Sequence, residues 1–239
     1  GNGKRDWKHK NKARDTLIFV PHSIDFSKEV TLVMWLHGLG GFKLHSPRLG
    51  ESLQALIQQD RNFILVAPEM PWSTNTSTPR TRQGYVWNGR KEENYAVFYN
   101  STMKTIITNF HPDIKARVAC REKGECQSPA LFKNIIIGHS AGGSAVRMAA
   151  RTKGLHMMSP DLIVYSDASY GRWADQTWRH YVKDHPECRY ILLVRKWDKP
   201  HINALRLIKS VSREHRHRIE MKVFPRSWSH RLIGDRSMF

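Results

Sequence analysis

Apolar residues in this chain gather into short bursts of strand length, separated by stretches with helical spacing. Asp15 to Val20 is such a burst, closed by Pro21, and Val30 to Leu36 is apolar almost throughout. Phe63 to Ala67, Ile135 to Ile137, Leu162 to Tyr165, Tyr190 to Val194 and Arg218 to Phe224 follow. Unbroken runs of this length suit strands buried on both faces, as a parallel sheet requires. Between them the spacing predicts helices. Ser46 caps one, with Pro47 at its first position and Leu49, Leu53, Leu56 and Ile57 on one face. Others run from Glu93 to Phe110, from Ser144 to Ala150 with Gly154 as C-cap, from Arg172 to Val182 and from Pro200 to Ser210. Strand and helix alternate, so the expected class is α/β: a mostly parallel central sheet with helices on both faces. Residues 1–14 read as a basic arm and 15–239 as one domain without repeats. Pro71 to Lys91, rich in Ser, Thr, Asn and Pro, reads as one long irregular connection and a candidate flap.

The chemistry centres on Asn134 to Gly143, where three isoleucines lead into Gly138-His139-Ser140-Ala141-Gly142 and then a small-residue helix. Strand, tight turn and helix come in the order that lifts a serine hydroxyl above a sheet edge. The new helix aims its free N–H groups at the same place, so the Ala141 N–H is a candidate oxyanion donor. A second glycine-rich turn, His37-Gly38-Leu39-Gly40-Gly41, directly follows the Val30 strand. Leu39 and Gly40 are the candidate donors there.

A serine hydroxyl attacks only when a base removes its proton. Of thirteen histidines, His230 follows the last strand, from where it can reach back over the sheet to Ser140. His139 is expected to point away along the turn, and His37 to be structural. Two aspartates compete to orient the base. Asp167 follows the Leu162 strand among small neighbours, and Asp198 follows the next strand between Lys196 and Lys199. Either gives the order Ser, Asp, His. The cations around Asp198 suggest a surface ion pair, so the local setting favours Asp167.

These segments resemble the α/β-hydrolase superfamily from about Asp15 to His230. The N-terminal third is similar to secreted esterases of the polyhydroxybutyrate-depolymerase and feruloyl-esterase type. The resemblance implies Ser140 as nucleophile, His230 as base and His37 to Gly41 as oxyanion loop. The large cap domain typical of the family is not expected in this chain, which departs from the family there and leaves Pro71 to Lys91 as the candidate flap. The usual family position of the acid, after the penultimate strand, favours Asp198. Asp167-Ala168-Ser169-Tyr170-Gly171 is similar to a segment that carries the acid in some bacterial members. The acid stays open between the two.

Composition adds charge. Lys plus Arg is 39 against 21 Asp plus Glu, a formal +18. Such a field favours anionic partners, and with Trp72, Tyr85 and Trp87 near the expected mouth it suits a small or polymeric anionic substrate, such as a cell-envelope glycan or peptide. No zinc-finger, RRM or helix-turn-helix pattern points to sequence-specific nucleic-acid binding. No metal-binding or dinucleotide motif is present, so no cofactor is expected. No apolar run has membrane-spanning length. Cys120 and Cys126 bracket a polar loop and read equally as a disulfide or as two free thiols, with Cys188 left over as a core thiol. A bridge would fit a secreted or periplasmic protein, although no signal peptide is visible. The expected function is a serine hydrolase that cleaves an ester or amide. The rivals are a serine peptidase and a non-catalytic polyanion-binding protein on the same fold.

Overall fold

The structure is a computed structural model that describes residues 16–25, 28–38, 62–68, 72–74, 83–85, 95–110, 132–152 and 154–236. Its centre is a seven-stranded sheet. The strands are β1 (Thr16–Phe19), β2 (Val30–Leu36), β3 (Phe63–Pro68), β6 (Phe132–His139), β7 (Leu162–Ser166), β8 (Arg189–Arg195) and β9 (Ile219–Phe224). Their spatial order is β1-β3-β2-β6-β7-β8-β9, with only β1 antiparallel to its neighbour in this sheet. The helices are α1 (Tyr95–Phe110), α2 (Gly142–Arg151), α3 (Gly154–Met158), α4 (Trp173–His180), α5 (Lys199–Ser210) and α6 (His230–Arg236), with 3-10 turns at Val182–Asp184 and Arg213–Arg218.

Alternation along the strands sorts the core into two faces, as the two-residue period of a strand demands. Leu32, Met34, Leu36, Ile64, Val66, Ile136, Ile163, Tyr165 and Leu192 pack with Ala145, Ala149, Trp178 and Leu207 of the helices. Val33, Trp35, Phe63, Leu65, Ala67, Ile137 and Val164 form the cluster on the opposite face. The central strands β2 and β3 are buried along nearly their whole length, whereas the edge strand β9 is mostly exposed. That gradient is why continuous apolar runs located the central strands and a weaker pattern marked the edge.

Three expectations change. Gly154 opens α3 instead of capping α2, whose C-cap is Thr152. The Arg172 helix ends at His180 and is followed by a 3-10 turn. The stretch from Pro71 to Lys91 is not wholly irregular: β4 (Trp72–Thr74) and β5 (Gln83–Tyr85) pair antiparallel in a sheet of their own. β5 approaches α2, the helix that follows Ser140. The predicted helix from Ser46 and the Cys120–Cys126 loop lie outside the described residues, while Cys188 is buried, its thiol pushed up to about 12 by that burial.

Candidate active site

The sheet order brings the carboxyl ends of β2, β6, β7, β8 and β9 side by side, and every candidate residue with chemistry follows one of them. At the end of β6 the backbone turns so sharply that Ser140 takes φ 53°, a left-handed conformation costly for a residue with a side chain. Its N–H donates to the Ser166 carbonyl at 3.1 Å, and the Gly143 N–H donates to the Ser140 carbonyl at 3.1 Å. The turn fits only because Gly142 has no side chain: a β-carbon there would fall 2.0 Å from the Leu36 carbonyl oxygen. This close approach seats the start of α2 against the end of β2.

The turn following β2 closes on the same point. A β-carbon on Gly38 would lie 2.8 Å from Ser140 Cβ and 3.3 Å from its Oγ. His37 is buried, its Nδ1–H donating to the Gly38 carbonyl at 2.8 Å, and burial lowers its pKa to about 4 in spite of that bond. The imidazole is therefore neutral and braces the loop. Leu39 and Gly40 lie outside the described residues. On the helix side, the backbone bonds of the turn use the N–H groups of Ser140, Gly143 and Ser144, leaving Ala141 N–H outside that set.

His230 opens α6, where Ser229 Oγ accepts the Leu232 N–H at 3.0 Å and so caps the helix. Its Nδ1 lies 2.6 Å from Asp167 Oδ2. Asp167 stands just past β7 at φ 44°, its N–H donating to the Leu193 carbonyl at 2.7 Å. The Asp167 side chain is 1% exposed and that of His230 35%. Asp198, just past β8, is placed otherwise. Its Oδ2 accepts Arg195 Nε–H at 2.6 Å, and its side chain is 29% exposed. The structure thus joins His230 to Asp167 and ties Asp198 into an ion pair, with Arg195 rather than the flanking lysines as partner.

Two residues pack against His230 in a way the sequence reading did not foresee. His139 does not point away from the site: its ring lies 4.6 Å from that of His230, tilted by 34°. Burial above all, with His230 and His37 nearby, lowers its pKa to about 3, so it is a neutral ring packed against that of His230. Tyr170 meets the His230 ring edge-on at 6.5 Å. Both lie inside the segments singled out in the sequence, but neither contact has a local signature.

Trp72 and Tyr85 are paired partners in the β4–β5 hairpin, and Trp87 lies outside the described residues. Among the described residues no cluster of three or more His, Cys, Asp or Glu is arranged to hold a metal ion. No described helix is long and apolar enough to cross a membrane.

No protein-family model and no curated protein sequence matches the chain. Among solved structures it is similar to a thermostable esterase at TM-score 0.52 and 17% identity, covering 90% of this chain and 52% of that one. The chain thus spans about half the length of that esterase. It is also similar to an α/β serine hydrolase homologue from Coxiella burnetii (TM-score 0.49, 12% identity, 93% and 88% covered). A third neighbour is an α/β serine hydrolase without lid from Xanthomonas campestris (TM-score 0.46, 14% identity, 91% and 80% covered). The strand order, the turn at Ser140 and the likeness to the esterase together give this protein the α/β-hydrolase fold.

Proposed function

We propose that the protein is a serine hydrolase that cleaves an ester or amide bond through an acyl-enzyme on Ser140. His230 takes the Ser140 proton, Oγ bonds to the carbonyl carbon, and the carbonyl π pair moves onto oxygen. The Ala141 N–H and the Leu39–Gly40 turn receive that oxyanion. His230 then gives its proton to the leaving group and activates water for the second half. Asp167 holds His230 in the tautomer that carries its proton on Nδ1, leaving Nε2 free as base.

The observation that carries this reading is the 2.6 Å approach of Asp167 Oδ2 to His230 Nδ1, with the His230 ring 4.6 Å from that of His139, the residue before a serine held at positive φ between strand and helix. The esterase likeness of the fold is in keeping with it. The +18 charge favours an anionic substrate, for which the β4–β5 hairpin is the proposed cover.

The test is fluorophosphonate labelling of the wild-type chain, Ser140→Ala and Asp167→Asn. Wild type should label, the alanine variant should not, and the asparagine variant should label roughly a thousandfold or more slowly. A wild-type chain as inert as Ser140→Ala would instead favour a binding protein on a hydrolase fold.

A further inference from the structure

The inner residues of α5, Pro200, His201, Ala204 and Leu207, are buried, and the outer positions of such a helix are ordinarily polar. Here Ile202 is 50% exposed and Leu205 36%, while Trp197, in the turn before the helix, is 67% exposed. Three of the five large apolar side chains exposed among the described residues thus fall between 197 and 205. One such side chain means little, whereas a cluster marks a contact surface. Trp197 and Ile202 hold the two positions of a hydrophobic staple around the N-cap Asp198. A staple that served the helix alone would cover its members, and these two stay open to solvent. Trp197 also sits at φ 67°, a costly conformation for a bulky residue. The turn is braced in that state. The Trp197 N–H donates to His201 Nδ1 at 3.1 Å, and the Lys196 N–H to the Phe224 carbonyl at 2.9 Å. The strain is spent on holding an indole outward.

The charge around this tip has one sign. Between Arg195 and Ser210 the only carboxylate is Asp198, against Arg195, Lys196, Lys199, Arg206 and Lys209. Asp198 Oδ2 accepts Arg195 Nε–H at 2.6 Å, and the side chain makes no cap bond to the helix. Lys196, Lys199 and Arg206 are exposed, with Lys196 Nζ 5.7 Å from the centre of the Trp197 ring. Lys199 is the first residue of α5, at the positive end of its dipole, where an anion is favoured and a cation is not. Such a pattern suits a negatively charged surface. Ile202 and Leu205 discriminate among anionic surfaces, because nucleic-acid bases and sugar rings gain from flat aromatic faces and aliphatic tips gain from hydrocarbon. Apolar tips ringed by long basic side chains are the make-up of an interfacial membrane anchor. We propose that Trp197, Ile202 and Leu205, ringed by Lys196, Lys199 and Arg206, seat the protein on an anionic lipid bilayer. The tip stands at the rim of the candidate site: Trp197 follows the carboxyl end of β8, and Arg195 Nη1–H donates at 3.4 Å to the carbonyl of Trp228, two residues before His230. Docking turns that end of the sheet towards the lipid. With the serine-hydrolase reading, on which this use of the patch rests, the substrate is an ester carried at the anionic lipid surface.

The experiment measures partition of the full chain onto sedimented vesicles of phosphatidylglycerol mixed with phosphatidylcholine, and onto phosphatidylcholine alone. Wild type should bind the anionic vesicles and the neutral ones far less. Trp197→Gly should bind roughly tenfold more weakly. Its thermal midpoint should equal or exceed that of wild type, because glycine takes φ 67° without strain, whereas loss of a structural staple would lower it. Replacing Lys196, Lys199 and Arg206 together by glutamine should weaken binding about a hundredfold, from about fivefold per cation near the surface. The same change at Lys133, Lys183 and Arg213, exposed cations towards the amino ends of β6, β8 and β9, should weaken it far less. Lipids with brominated acyl chains should quench tryptophan fluorescence in wild type and much less in Trp197→Phe. Equal losses from the two cation sets would reduce the binding to general charge and overturn the inference. Undiminished quenching in Trp197→Phe would overturn it too, as would binding that depends on Trp197 with heparin and not with vesicles. Ser140→Ala should partition like wild type, and fluorophosphonate labelling separates the two readings. A chain that labels without partitioning overturns the patch alone. One that partitions but is as inert as Ser140→Ala keeps the docking and overturns the hydrolase.

Discussion

Gly234 and His139 compete for the same volume: a β-carbon on Gly234 would fall 2.4 Å from ring atoms of His139. The helix that begins with His230 therefore rests, one turn later, on the residue before Ser140. A buried bond from Ser166 Oγ–H to the Ile233 carbonyl at 3.2 Å fastens the same turn to β7. The helix that carries His230 and the residue before Ser140 are set against each other by this contact, over a sequence separation that no local pattern spans.

Gly234→Ala should push either the ring or the helix aside. Overpacking of this kind typically costs about 1–3 kcal/mol. The expected outcome is a lowered thermal midpoint together with at least a tenfold loss of ester hydrolysis, because His230 moves with α6. Combining it with His139→Ala should recover part of the stability, a coupling that a double-mutant cycle measures directly. Strict additivity would show that the two residues do not press on each other.

His37 and His139 make stability depend on pH. Both pKa values are lowered from 6.5, to about 4 and about 3, so in the acid range the unfolded chain binds more protons than the folded one. Stability from this source is fully present above about pH 6.5 and is lost as pH falls toward the folded values, by up to about 1.4 kcal/mol per pH unit per proton. Urea unfolding between about pH 7.5 and pH 4.5 should show this decline. Replacing His139 with asparagine should make it shallower by about one proton. Equal slopes would mean that His139 titrates as it does in the unfolded chain.

Tyr165 ties the start of α2 to α4. Its hydroxyl lies 3.0 Å from the Gly143 carbonyl oxygen and 2.7 Å from Thr177 Oγ1, both buried, and 3.2 Å from the part-buried Trp173 carbonyl oxygen. Burial raises its pKa and holds it protonated. Tyr165→Phe strands the buried Gly143 and Thr177 partners, and chemical denaturation should register a loss of about 1–3 kcal/mol. A neutral substitution would show that the partners find other bonds.

Asp198→Asn should leave ester hydrolysis within about threefold of wild type, because that carboxylate serves Arg195 in a half-buried pair worth about 1 kcal/mol or less. Loss of activity as deep as in Asp167→Asn, with the fold intact by circular dichroism, would transfer the orienting role to Asp198.

What the sequence determined by itself was whatever is encoded within about ten residues. The apolar run Val30–Leu36 could only be a buried strand, and the spacing from Ile135 through Ser140 to Ala150 could only be strand, tight turn and helix. Steric exclusion at a bend and periodic burial are local physics, so both can be read directly. Tertiary structure decided which of Asp167 and Asp198 faces His230. Each ends a strand, and the difference lies in which one is buried facing a residue 63 positions away at 2.6 Å and which one turns to Arg195. The packing of His139 against His230 was settled at the same level. Such contacts join segments that meet only when β6, β7 and β9 take their places in one sheet, and packing, not propensity, selects them.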